Sequence, residues 1–335
     1  MRRNLAAAPP KRPRRVGRRA TVLAASAAFG MAFGAAPAVS SAASVRVEDG
    51  VVQFVAAKRE QNRVWGDPHE QGLAIRDDGA PLSAGPGCED LGDVVVCQAF
   101  EAEVRVLDGA DQVRLEHFGN PSTIWGGDGN DEIYGGSGAG STTIHGEAGS
   151  DNLRTSNNGA DAIVTGGSGD DVLTIGEATG GYFSGGGGND TIRYNPLSDD
   201  PPWLAAPLSA KVTSVQPVIE GGTGNDEIEA GLLPAERING GPGVDSLMYF
   251  GGGTIDAALS NLEIVIAWGG HTVLGTKRAD RLISRGGDAI YARGGNDFVD
   301  VRNGSTDDIV DCGAGLDEVR ADPGDSIASN CELVL

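Results

Sequence analysis

Aromatic side chains make up only 5 % of the 335 residues: eight Phe, five Tyr and four Trp. An ordinary large hydrophobic core is therefore not available to this chain. Positive charge is also short, with 26 Lys and Arg against 47 Asp and Glu and a formal net charge of −21. That balance excludes a basic nucleic-acid binder, since nothing would neutralise phosphates. The four histidines, His69, His117, His145 and His271, fall in no HExxH pattern, and no GxSxG occurs. No local catalytic motif is present.

What the chain has in excess is glycine, 53 residues or about 16 %, against a usual level of about 7 %. It does not recur every third residue, which excludes collagen. Residues 1–43 carry eight Lys or Arg and no acidic residue, then an apolar small-residue run from Ala20 to Ala36 and a Ser/Ala stretch ending at Ala42 and Ala43. This order reads as a secretory signal peptide. Arg18-Arg19 leaves the choice between the general and the twin-arginine route open, and an uncleaved N-terminal anchor is the rival reading. No later segment is long and apolar enough to span a membrane. The exported chain would carry four cysteines, with three pairings possible. Cys88 and Cys97 are close enough to close a local loop.

Forty-one of the glycines lie in residues 120–335, and there they follow a nine-residue unit. It reads GGDGNDEIY at 126–134, GGSGDDVLT at 166–174, GGGGNDTIR at 185–193, GGTGNDEIE at 221–229 and GGPGVDSLM at 240–248; GEAGSDNLR at 146–154 loses only the second glycine. Glycine holds positions 1, 2 and 4, aspartate position 6, and an aliphatic residue position 8. Strong units start 19 or 20 residues apart, with degraded ones such as SNNGADAIV at 156–164 between them. A full circuit of about two units implies a solenoid. Residues 106–114 (VLDGADQVR) already hold Gly109, Asp111 and Val113 in phase, so the coil can begin there.

Each position has a physical reason. Glycine allows positive φ and close backbone approach, so six residues can turn tightly with their carbonyls gathered. Asn130, Asp170, Asn189 and Asn225 at position 5 are the types that best tolerate left-handed geometry. The last three residues make a short strand with one inward side chain: Ile133, Leu153, Leu173, Ile192, Ile228 or Leu247. One buried aliphatic per unit is a small return for ordering nine residues, and carboxylates stacked on one side repel. A further stabiliser is required, and carboxylate and carbonyl oxygens suit a hard dication, Ca²⁺ before Mg²⁺.

These units resemble the haemolysin-type (RTX) calcium-binding nonapeptide repeat, GGxGxDxUx, in its secreted, high-GC bacterial type; 22 Arg against 4 Lys suits such a genome. The resemblance implies an all-β fold, a parallel β-roll or β-solenoid with a short N-terminal β cap. It also implies several Ca²⁺ ions between successive turns, held by Asp131, Asp151, Asp171, Asp190, Asp226 and Asp245 with turn carbonyls. On the opposite side only Asp161 remains, so the first array should carry a one-sided column. Asp280, Asp288, Asp297, Asp308 and Asp317 fall at position 6 of a second, looser array.

The expected organisation is a cap at 44–105, a first array at 106–248, ligand-free turns at 249–274, and a second array at 275–335. A Pro-rich insertion at 194–211 breaks the first array, with Trp203 as a candidate partner anchor. Cys312 and Cys331 are one circuit apart, so they would stack on adjacent turns about 4.8 Å apart, inside the disulfide window of about 4.4–6.8 Å. They read as a staple at the C-terminal end. The chain is thus expected to be a secreted, extracellular, calcium-folded repeat protein, structural or adhesive, with a cell-surface or glycan partner and no enzymatic activity. The alternative is a polysaccharide lyase or epimerase on a calcium-stabilised β-helix, using Arg237 or Arg278.

Overall fold

A computed structural model describes residues 42–115, 117–136, 140–155, 161–176, 180–194, 217–231 and 233–335. The segment expected as a signal peptide lies outside them up to residue 41, and so does the insertion expected at 194–211 apart from Tyr194. Alternating burial makes the strands. Glu132–Tyr134, Gln112–Arg114 and Phe298–Asp300 each bury only their middle residue, as the single inward aliphatic requires.

The strands stack in parallel register into a β-solenoid of about ten turns. One sheet runs through Glu101–Arg105, Ser122–Asp128, Thr142–Ala148, Ala162–Ser168, Gly181–Gly187, Val218–Thr223 and Ile238–Asn239. A second, of 16 strands, includes Glu132–Tyr134, Asn152–Arg154, Val172–Ile175, Thr191–Tyr194, Glu227–Ala230 and Ser246–Tyr249, and continues to Leu333–Val334. From Gly253 onward a third sheet, Gly253–Asp256 to Ser326–Ile327, takes the place of the first. Between the sheets run files of fully buried residues, Ile124, Ile144, Val164, Phe183 and Ile219 facing Ile133, Leu153, Leu173, Ile192 and Ile228. Among the described residues the one α-helix is the single turn Ala257–Ser260.

Hairpins close the N-terminal end. Ala43–Glu48 pairs antiparallel with Val51–Val55, and Arg63–His69 with Gly72–Asp77. Val51–Val55 and Arg63–His69 then seed the two sheets by pairing in parallel with Glu101–Arg105 and Gln112–Arg114. Cys88 and Cys97 are cross-strand partners joined in a disulfide, and Cys312–Cys331 joins successive turns with its Cα atoms 5.2 Å apart. The few aromatics are partly spent outside the core. Arg105 lies 3.6 Å over the Trp125 ring, which stacks on His145, and Phe298 is held between Arg281 and Arg320.

The corners are tighter than a six-residue turn. Strand Ser122–Asp128 runs through positions 1 to 3 of its unit, Gly127 pairing in register with Glu147 of the next turn, so only three residues bend before Glu132. Glycine makes this possible. At position 4, Gly129 has φ +135°, and a Cβ there would lie 1.5 Å from the Gly109 carbonyl oxygen. Gly129→Ala should therefore cost at least about 1–3 kcal/mol. Gly231→Ala, whose Cβ would meet nothing within 4 Å, should be nearly neutral. Urea unfolding of the two variants in saturating calcium checks the contrast.

Candidate metal centre

The position-6 aspartates line one corner in a single file, and Asp131, Asp151, Asp171, Asp190, Asp226 and Asp245 are each at most 2 % exposed. A repeating hydrogen bond sets their order. The backbone N–H of each aspartate donates to Oδ1 of the aspartate one turn on: Asp111 to Asp131, Asp131 to Asp151, Asp151 to Asp171, Asp171 to Asp190, Asp190 to Asp226 and Asp226 to Asp245, all at 2.8–2.9 Å. The step from Asp190 to Asp226 is 36 residues, yet its geometry matches the others. The added length falls between strands Thr191–Tyr194 and Val218–Thr223, not within the corner that holds the file.

The second oxygen of each carboxylate has a different fate. Oδ2 of Asp111, Asp131, Asp151, Asp171, Asp190, Asp226, Asp245, Asp297 and Asp317 is buried with no hydrogen-bond donor. From Asp131 to Asp245 each of these oxygens points at the first glycine of its own unit. The place a Cβ would take at Gly126, Gly146, Gly166, Gly185 and Gly221 is 2.2–2.4 Å from that Oδ2 and 2.3–2.8 Å from the carbonyl oxygen of the next turn's first glycine. In these units position 1 is glycine because a carboxylate and a carbonyl oxygen already converge on it, whereas the units of Asp111, Asp297 and Asp317 begin with Val106, Ala292 and Cys312.

A file of buried, donor-free anionic oxygens beside carbonyls is the donor set of a hard cation. Leaving such oxygens ionised and unpaired in the interior is costly. Among the described residues no three His, Cys, Asp or Glu side chains meet at one point. A cation here would draw on backbone carbonyls together with one or two carboxylates, which suits Ca²⁺ and not a tetrahedral side-chain cage of the zinc type. The residues present fit calcium.

Position 5 serves a second ladder running the other way. Backbone N–H groups of Ser150, Asn189, Asn225 and Val244 donate to side-chain oxygens of Asn130, Asp170, Asn189 and Asn225 on the turn before. None of these position-5 residues has positive φ. The left-handed tolerance expected of them is not what selects them; a short side chain with an acceptor oxygen is.

Other expected ligands divide. Asp161 lies exposed at the start of Ala162–Ser168, away from the file. Asp280, Asp297 and Asp317 extend the file beside the second sheet. Asp288 and Asp308 leave it for a separate corner flanking the third sheet, where the Asp288 N–H donates to Asp308 Oδ1. Their carboxylates are met by protein donors: His271 and Ser284 on Asp288, Ser284 and Asn303 on Asp308. Asp280 is met as well, by the Thr276 N–H and hydroxyl. The 249–274 turns carry no aspartate in the file, but Glu263 takes the place, accepting from the Asp245 N–H at 3.0 Å, and Glu332 does so for Asp317. Asp111, Glu263 and Glu332 were findable from spacing alone, each lying 15–20 residues from its neighbour in the file. Arg237 ends a short 3-10 turn, and Arg278 pairs with Glu263 at 3.3 Å.

Burial pushes the file's carboxyls up, opposed by the backbone N–H bonds and assisted by neighbouring charges. Asp111 and Asp171 reach about 7, and Asp131, Asp190, Asp245 and Asp297 about 6, from an ordinary 3.8. A native carboxyl that holds its proton more tightly than the unfolded one stabilises the metal-free fold fully below about pH 4 and loses that contribution as pH rises through 6–7. The chelated protein should thus gain β-sheet circular dichroism between pH 7.5 and 4.5. With excess calcium the trend should reverse, because protons compete for the same oxygens.

No curated protein matches the chain. A family model of the RTX calcium-binding nonapeptide repeat matches in four copies, over residues 121–142, 182–195 and 218–232. These ranges contain Asp131, Asp190 and Asp226 of the buried file and the glycines that cradle them. Within those ranges the glycine corners of the solenoid match the RTX calcium-binding nonapeptide repeat.

Proposed function

We propose that this is an exported protein whose solenoid orders as it binds Ca²⁺ outside the cell, and that the folded coil serves as a structural or adhesive element. The observation that carries the reading is the file of buried, donor-free Oδ2 atoms from Asp111 to Asp245 and again at Asp297 and Asp317. Asp131, Asp151, Asp171, Asp190, Asp226 and Asp245 are the principal ligands, with Asp111, Asp297 and Asp317 extending them. Asp280, Asp288 and Asp308 already have protein donors on their carboxylates and contribute less. Extracellular calcium modules bind at about 10⁻⁴–10⁻³ M, so the ion would be scarce in a cytoplasm and sufficient outside. The basic, then apolar stretch that precedes strand Ala43–Glu48 and the two disulfides support an oxidising destination.

Far-UV circular dichroism of the chelated chain at pH 7.5 should show weak β-sheet signal that rises on adding calcium, with magnesium much less effective. A metal-free form already fully folded and unmoved by calcium would overturn the reading. Asp171→Asn separates ligation from packing, because the amide oxygen can still accept the Asp151 N–H while the negative charge is gone. It should fold at lower calcium or without it, yet bind fewer ions by equilibrium dialysis. An unchanged ion count in Asp171→Asn would remove that residue from the ligand set.

A further inference from the structure

At one step of the file the corner changes sign. Between Glu263 and Asp297 the unit reads Gly275-Thr-Lys-Arg-Ala-Asp280, so Thr276, Lys277 and Arg278 occupy positions 2 to 4, where the six strong units have glycine or short side chains apart from Glu147. The acidic groups here are answered from within the chain. Thr276 donates twice to Asp280, Arg278 pairs with Glu263, and Arg293 grips Asp256 through two bonds of 2.8 Å. One charge is left over. Lys277 is exposed and has no ion pair or hydrogen bond among the described residues.

These side chains surround a cavity of about 330 Å³ lined by Ala257, Ala258, Asn261, Thr276, Lys277, Arg278 and Arg293. That volume is at the small end of the range of about 300–1,000 Å³ for small-molecule sites. Ala257 and Ala258 offer an apolar wall, and three cationic side chains converge on the cavity in a chain whose net charge is −21. We propose that this cavity is a binding site for a small carboxylate. The single uncompensated charge of Lys277 matches a monoanion better than a doubly charged phosphate, with Arg278, 69 % exposed and monodentate on Glu263, free to turn a second donor toward the ligand. The alanine wall takes the apolar part of the molecule. The ligand is a free organic acid or the acid-bearing end of a sugar chain; the carboxylate is common to both. The site goes beyond the structural reading and does not depend on whether the coil is adhesive.

The test is isothermal titration calorimetry of the full, calcium-loaded chain with glucuronate, acetate and glucose. Binding of a carboxylate, with glucose silent, is expected. Tighter binding of glucuronate than of acetate identifies an acidic sugar as the source, and equal binding identifies the carboxylate alone. Lys277→Gln should weaken the interaction at least about tenfold, the loss of one charge-assisted contact, while Lys58→Gln, a remote exposed lysine, should not. No heat with either carboxylate, equal binding of glucose, or undiminished binding by Lys277→Gln would overturn the site. Circular dichroism of Lys277→Gln against calcium, run alongside, should match the parent. A missing calcium response in the parent itself would count against the calcium-folding proposal and leave the carboxylate result to be judged separately.

Discussion

One contact recurs at every corner from Asp111 to Asp245 and dictates the rest. A backbone N–H of one turn is held by the carboxylate of the next. It ties the turns at a fixed spacing, holds each aspartate inside and, from Asp131 to Asp245, leaves the other carboxylate oxygen facing a glycine and a carbonyl. The glycine at position 1 of the six strong units and the donor set suited to a hard cation both follow from that placement. Hydrophobic burial here is a pair of narrow files between two sheets, and the carboxylate contacts at the corner add a second tie between successive turns.

The same contact explains what the coil tolerates. The 36-residue step between Asp190 and Asp226 keeps the 2.8 Å bond and the parallel pairing of Thr191–Tyr194 with Glu227–Ala230. Chain length can therefore change between one strand of the second sheet and the next strand of the first without disturbing the file, whereas within the file even one methyl group at Gly129 would strike backbone. Where the file changes its residues it changes its chemistry. Glu263 substitutes a longer carboxylate, and Thr276 and Arg278 bring internal donors to it and to Asp280.

Much of this was legible in the residues. The spacing of Gly126, Gly127, Gly129, Asp131 and Ile133, repeated five times more with one glycine lost, specifies corner, ligand and inward strand together, because each of those positions has a single steric or chemical solution. The staple between Cys312 and Cys331 was legible for the same reason, once the circuit length was known. The second half was harder. Asp280, Asp288, Asp297, Asp308 and Asp317 all follow glycine-containing stretches, but spacing does not say to which corner of a shortened circuit each belongs. The structure assigns them to two. Nor does sequence tell whether a carboxylate finds a donor, since that depends on Thr276, Ser284 and Asn303 reaching across space. The role of position 5 was misread because Asn suits both a left-handed turn and an acceptor ladder.

The two corner ladders have opposite polarity: the aspartate file takes its acceptors from the following turn, the position-5 file from the preceding one. A coil assembled from its N-terminal end therefore always trails one half-finished corner, with its outer seam sewn and its inner seam awaiting residues some twenty positions downstream. Glu332 supplies the acceptor for the Asp317 N–H, beside the bonded Cys331. The oxidised pair thus fastens the same two turns that this stitch joins, a covalent thread laid alongside the hydrogen-bonded one.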